Sequence, residues 1–321
     1  MFDFLKKRIF PIGADLGSGY LKMAQLGFDG NQFFLHAARR EEKPKDIEPG
    51  SAQWQRWVAQ AAKVMIGSGG FSGKRVVTAM PADDVFIDQI KIPKTADEKI
   101  EEVVLANIRP KLPFDAADAM VKYVVSDKHG GNGEMGVLVM AGQRQTVDRH
   151  LAIYEKAGLE ICGISVWPLA MTNSYVKFFG RRAQDREVMA MLIDIGANHT
   201  NIVICRHSNL LLARMIKIGF RQLKYNETIE RLMDEINACC RYFELFSNGA
   251  QINRMVLISG QSVDRIICEK VAELAKEMQI PAQIGDVLAA VQVRRGSHFD
   301  IERRGRQVDW ATAFGLSLPE M

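Results

Sequence analysis

The sequence predicts an α/β fold of two sheet-centred lobes, with a smaller unit inserted in the first. Three observations carry that reading. One short pattern occurs twice, as Ile12-Gly13-Ala14-Asp15-Leu16-Gly17-Ser18-Gly19-Tyr20 and as Leu192-Ile193-Asp194-Ile195-Gly196-Ala197-Asn198-His199-Thr200. Each copy reads as a buried strand, a tight turn carrying Asp-x-Gly, and a second strand. Strand-like and helix-like hydrophobic periods then mix along the whole chain. Finally, 321 residues give room for two domains, or one large one, with a full core.

In the first half, residues 32–37 read as a third strand after the first hairpin, and the charged, Pro-containing 41–51 as a loop. Trp54, Trp57, Val58, Ala61 and Met65 fall at helical spacing, and residues 67–73 end that helix. A strand over 75–80 stops at Pro81. Residues 85–92 alternate as a strand. Thr95 and Glu98 then match a capping box at the head of a helix through Ile100, Val103, Val104 and Ile108. Strands over 119–126 and 135–141 flank a Gly-rich turn. Val147, Leu151 and Tyr154 mark a helix closed by Gly158, and 159–166 reads as a strand. This strand-helix-strand-strand-helix-strand order predicts a split βαβ subdomain. A helix over 168–179 returns the chain to the first unit.

The second half opens with strands over 188–194, 201–206 and 210–217. Ile229, Leu232, Met233, Ile236, Cys240 and Phe243 make a helix with a broad apolar face, stopped at Gly249. A buried strand over 254–258 runs into Ser259-Gly260-Gln261-Ser262. A helix through Val263, Ile266, Ile267, Val271 and Leu274 follows, then a short strand over 281–284 and a small-residue helix over 310–318. The domain plan is residues 1–84 with 167–184 as the first lobe, 85–166 as the insertion and 185–321 as the second lobe.

Composition narrows the function. Hydrophobic content of 47% and charged content of 25% are those of a soluble globular protein. No apolar run reaches the length of a membrane span, and the basic start Met1-Phe2-Asp3-Phe4-Leu5-Lys6-Lys7-Arg8 lacks a signal peptide's apolar core, which predicts a cytoplasmic chain. A net charge of +4 does not announce nucleic acid, and Arg294, Arg295, Arg303, Arg304 and Arg306 read as a solvated loop. Five cysteines without Cys-x-x-Cys spacing predict reduced thiols rather than a zinc site. No nucleophile elbow, Walker loop or His-Glu-x-x-His is present, and no catalytic residue is assigned.

Asp-x-Gly after an apolar strand is also an ordinary hairpin signal. Two copies, each heading a half-chain, point further, to a duplicated architecture with phosphate between the halves. Glycine lets turn N–H groups approach an anion, and the strand-end aspartate can hold a metal hydrate beside it. In the ordinary alternative, Asp15 and Asp194 only hold their turns through backbone hydrogen bonds.

These residues resemble the actin-like ATPase superfamily, which has an RNase H-like two-lobed fold and includes sugar kinases, Hsp70 chaperones and FtsA. The resemblance implies ATP and magnesium clasped by Asp15, Gly17, Ser18, Gly19 and Tyr20 on one side and Asp194, Gly196, Ala197, Asn198 and Thr200 on the other. Asp15 and Asp194 would be the magnesium-shell residues, with Ser259, Gly260 and Gln261 at the adenosine turn. A more specific resemblance is to the PilM family of type IV pilus assembly. It rests on the opening from Met1 to Gly17, on Ala79-Met80-Pro81-Ala82 with residues 85–93, and on Leu112-Pro113-Phe114. Lys156-Ala157-Gly158-Leu159, Trp167-Pro168-Leu169-Ala170 and Ala311-Thr312-Ala313-Phe314-Gly315-Leu316 complete it.

That resemblance implies an adaptor rather than a metabolic enzyme. It would bind the short cytoplasmic tail of a PilN-like membrane protein in a groove between core and inserted subdomain. It would sit peripherally at the inner membrane and couple to pilus motor and platform components. A homo-oligomer stays open. The 85–92 strand edge and the helix over 144–157, with Arg144 and Arg149, are the expected groove borders.

Two departures argue for weakened or lost nucleotide binding. Gln261 and Ser262 stand where the superfamily has glycine, and the stretch from Ile218-Gly219-Phe220 to Ile229 is too short for the usual fourth subdomain, which is therefore expected in reduced form. An ATP-binding switch and an FtsA-like division protein are the alternatives. Against the latter, residues 310–321 lack an amphipathic membrane helix.

Overall fold

The computed structural model describes residues 8–127, 133–259, 263–293 and 309–319. Strands β1 (Arg8–Leu16), β2 (Tyr20–Phe28) and β3 (Phe33–Glu42) form an antiparallel meander. Helix α1 (Ala52–Ser68) follows, capped by the Ser51 hydroxyl accepting from Trp54 N, and β4 (Arg75–Met80) returns parallel to β1. The apolar stripe of α1, from Trp54 to Met65, covers one face of this sheet.

The chain then leaves for the inserted unit. It holds β5 (Phe86–Pro93), α2 (Ile100–Ile108), β6 (Ala119–Asp127) and β7 (Glu134–Gln143), in a three-stranded sheet of order β5-β7-β6. Ile92, Val104, Ile108 and Val137 fill its small core. The expected capping box is absent. Thr95 Oγ1 donates to Pro93 O at 2.8 Å, and a 3-10 turn at Asp97–Lys99 leads into α2 instead. The hydroxyl thus bonds the backbone that precedes the helix.

A second difference concerns the boundary of this unit. Helix α3 (Arg144–Lys156) puts Tyr154 and Ile153 into the core under α1, and β8 (Glu160–Val166) pairs parallel to β4. The split βαβ reading placed both in the insertion; the structure gives them to the first sheet, whose order is β14-β3-β2-β1-β4-β8, with β14 (Gln292–Val293) at its far edge. Gly158, at φ +78°, makes the sharp exit from α3 that allows this.

Helix α4 (Trp167–Phe178) leads to the second sheet, ordered β11-β10-β9-β12-β13. Its strands are β9 (Met189–Ile195), β10 (Thr200–Arg206), β11 (Asn209–Ile216), β12 (Arg254–Leu257) and β13 (Ala282–Ile284). Helices α5 (Asn226–Phe246) and α6 (Arg265–Glu277) cover its outer face through Ile236, Phe243, Ile267 and Val271.

The inner faces share one core. Leu26, Leu35, Tyr175, Leu192, Val203 and Phe314 belong to a single buried cluster. Helix α7 (Ala311–Ser317) fills the middle of it. Two glycines let α7 in: a Cβ on Gly13 would lie 2.0 Å from Ala313 O, and one on Gly315 would lie 1.9 Å from Ala170 O. Ser174 Oγ donates to Ala311 O at 2.6 Å, tying α4 to α7.

Candidate functional site

Both Asp-x-Gly turns close in the same way. Gly17 N donates to Tyr20 O at 3.0 Å, and Gly196 N donates to His199 O at 2.9 Å. Backbone groups therefore hold the turns, and the two aspartates are free for other partners. The tips meet across the interior: a Cβ on Gly19 would lie 2.6 Å from the Ala197 Cβ.

The second turn is also covered by its own chain. Phe220 N donates to Gly196 O at 2.9 Å and Arg221 N to Ala197 O at 3.1 Å. Gly219 passes so close that a Cβ there would lie 2.5 Å from both Asn198 N and His199 N. At the rim, Arg221 Nη2 reaches Glu42 Oε1 at 3.3 Å, joining the segment after β11 to the end of β3.

Behind the tips lies a cavity of about 300 Å³. Of the residues expected to clasp phosphate, Asp15, Gly17, Ser18, Gly19, Tyr20, Asp194, Gly196 and Ala197 line it. Asn198, Thr200 and Ser259 do not. Thr200 Oγ1 donates instead to Ile218 O at 2.7 Å, and Ser259 Oγ donates to Asp194 Oδ1 at 3.1 Å from behind the wall. Gly260 and Gln261, with the Arg294–Arg306 basic cluster and the first seven residues, lie outside the described residues.

The site also contains residues that the motifs did not reveal. Lys22 projects from β2 directly opposite Asp15, and its Nζ lies 2.6 Å from Asp15 Oδ2. The same ammonium donates to Asp309 O at 2.8 Å and lies 3.4 Å from Asp309 Oδ2. Asp309 in turn caps α7, its Oδ1 accepting from Ala311 N at 2.8 Å. Burial alone would lower the Lys22 pKa, but Asp15, Asp309 and Asp194 outweigh it and hold the ammonium well above its ordinary value. Burial, then the Asp194 charge, pushes Asp309 up to about 7 against the pull of Lys22. Asp194 is raised too, by burial first, with Lys22, Ser259 and Asn201 opposing.

Three polar atoms of the wall are buried without a hydrogen-bond partner: Ser18 Oγ, Trp167 Nε1 and Asn201 Oδ1. Two donors and an acceptor facing one space suit a small polar ligand. A divalent cation fits less well. Lys22 already holds Asp15 Oδ2, and among the described residues no group of three or more His, Cys, Asp or Glu side chains is placed to hold a metal ion. From the stretch between β11 and α5 the cavity takes only Phe220, since Gly219–Tyr225 is a compact turn before α5.

A second cavity, of about 640 Å³, opens where the inserted sheet meets the first sheet. Strand β8 ends one sheet and β6 ends the other, and both line this groove. Val124, Leu169 and Leu316 give it apolar walls, while Arg8, Arg75 and Lys122 supply cations. Asn173 Nδ2 donates to Gly315 O at 2.8 Å, leaving Asn173 Oδ1 buried and unpartnered at the same groove. The expected borders were the 85–92 strand edge and the α3 helix. Neither lines this cavity, which opens beside β6 and β8.

This architecture is that of the actin-like ATPase fold: two sheets with facing Asp-x-Gly hairpins and helices between them. The chain belongs to the PilM family, since the model of that family, described as type IV pilus assembly protein PilM, matches residues 13–231. Among solved structures, a chain of a PilM–PilN type IV pilus biogenesis complex is similar with a TM-score of 0.76 at 19% identity, covering 97% of this chain and 98% of that chain. A Bacteroides thetaiotaomicron protein with an actin-like ATPase fold gives a TM-score of 0.49 at 13% identity, over 91% of this chain and 96% of its own. The cytoplasmic domain of EpsL, from the type II secretion system of Vibrio cholerae, gives 0.46 at 8% identity, over 92% and 90%. No curated protein sequence matches the chain.

Proposed function

We propose that the protein is an adaptor of the type IV pilus inner-membrane platform, and that it docks the short cytoplasmic tail of a PilN-like membrane protein between β6 and β8. The single observation that carries this reading is the groove itself. Two sheet edges border it, and an extended peptide can add to such an edge through its main chain. Apolar walls would take alternate side chains of the peptide, and the Arg8, Arg75 and Lys122 charges favour acidic or carbonyl groups at the ends. Asn173 Oδ1 offers an acceptor for a peptide N–H. The adaptor would then work at the cytoplasmic face of the membrane. No helix among the described residues is long and apolar enough to cross one.

Cys162 supplies a direct test, because it is exposed and lines the groove. Its rate of alkylation is measured with and without a synthetic peptide of the partner's tail. Protection of Cys162 but not of Cys268, on α6, supports docking in the groove. Equal alkylation at saturating peptide refutes it.

A second reading, an ATP-binding switch, draws on the unpartnered Ser18, Trp167 and Asn201 atoms. Calorimetric titration with ATP, with and without magnesium, tests it. Heat that disappears in an Asn201→Ala variant favours the switch.

A further inference from the structure

We infer that the Lys22 ammonium takes a cation's place beside Asp15, so that the first hairpin is tied to the entry of α7 by a tethered charge without a divalent metal. The inference is independent of tail docking.

Three carboxylates from three elements line one cavity: Asp15 from β1, Asp194 from β9 and Asp309 from the entry to α7. Buried carboxylates gathered in this way need a counter-charge. An actin-like clasp can take that charge from a bound divalent ion. Here a side chain delivers it. The Lys22 ammonium has three N–H groups, and Asp15 Oδ2 at 2.6 Å, Asp309 O at 2.8 Å and Asp309 Oδ2 at 3.4 Å account for them.

Two further carboxylate oxygens have donors of their own. Asp194 Oδ1 accepts from Ser259 Oγ, and Asp309 Oδ1 from Ala311 N. A metal ion entering this cluster would have to displace a buried ammonium and share its ligands with a like charge.

The arrangement is built into the backbone. Lys22 and Asp15 are cross-strand partners in one hairpin, and Asp309 is fixed by capping α7, which packs on β1 at Gly13. Lys22 therefore joins the first hairpin to the helix at the centre of the shared core. The cluster acts as a permanent staple rather than a cation-gated one.

Manganese, as a spectroscopic stand-in for magnesium, tests this on the full chain. Free Mn²⁺ is read by electron paramagnetic resonance and the melting temperature by calorimetry. The wild-type protein is expected to leave the free Mn²⁺ signal as in buffer and to melt at the same temperature with or without metal. Lys22→Ala is expected to melt lower and to recover part of the loss when Mn²⁺ is added, with the recovery absent in Lys22→Ala/Asp194→Asn. Wild-type uptake of Mn²⁺ that is lost in Asp15→Asn overturns the inference, and this arm stands even if Lys22→Ala does not fold. A folded Lys22→Ala protein that gains nothing from Mn²⁺ overturns it too.

Discussion

Lys22 Nζ and Asp15 Oδ2 lie 2.6 Å apart across the first hairpin, both largely shielded from solvent. An ion pair at this depth is expensive to break from one side only. Removing one partner leaves a buried charge unmatched, which typically costs about 3–5 kcal/mol. Lys22→Met is therefore expected to be strongly destabilised in urea. Lys22→Met/Asp15→Asn is expected to recover part of that loss, because the charge it strands is gone. Equal stability of the single and double variants would show that the pair is not coupled.

The glycines of the chain separate into two kinds. Gly315 lies where a Cβ would collide with the Ala170 carbonyl, whereas a Cβ on Gly67, in the last turn of α1, would meet nothing within 4 Å. Gly315→Ala is expected to cost about 3 kcal/mol or more, since neither α4 nor α7 can retreat from the shared core. Gly67→Ala is expected to stabilise by about 0.5–1 kcal/mol through helix propensity. Thermal melts of the two variants, shifting in opposite directions, check this.

His150 makes stability depend on acid. Its Nε2 lies 3.0 Å from Thr78 Oγ1, whose own hydrogen goes to Ala14 O, and its Nδ1 is buried without a partner. Burial pushes the imidazole down to about 4, with a backbone hydrogen bond at Ala79 opposing. An unfolded histidine titrates near 6.5. Between these values the unfolded chain binds a proton that the folded chain refuses. The stability is thus whole above about pH 6.5 and falls as pH drops toward 4, by about 3 kcal/mol from this group at most. Urea midpoints at pH 7 and pH 5 should differ more for wild type than for His150→Gln.

Arg221 and Glu42 close the rim over the turn tips, but both side chains are well exposed. Such pairs contribute about 0–1 kcal/mol. Arg221→Ala is expected to leave the urea midpoint nearly unchanged. A large loss would mean that the rim pair contributes more than exposed ion pairs do.

Much of this molecule is legible in its sequence, and the failures have physical causes. The paired hairpins, the amphipathic faces of α1, α5 and α6, and the small-residue α7 follow from local pattern alone. Sheet membership does not: residues 159–166 read as a strand in either unit, and only packing of Tyr154 under α1 assigns β8 to β4. Thr95 does not cap because a 3-10 turn, not the helix itself, follows it. Lys22 was overlooked although its pattern was visible, a lysine on a strand with apolar neighbours on both sides. Asp309 carried no such signal, since 287 positions separate it from its partner.

The most direct test of the adaptor reading is a fluorescence anisotropy titration of a labelled PilN-like tail peptide against wild type, Val124→Asp and Val64→Asp. Val124 lines the groove, whereas Val64 is an exposed residue of α1 that does not. Saturable binding to wild type and Val64→Asp, weakened at least about tenfold in Val124→Asp, is the predicted result and corresponds to about 1.4 kcal/mol. No binding by the folded wild-type chain, or equal binding by all three, would contradict it.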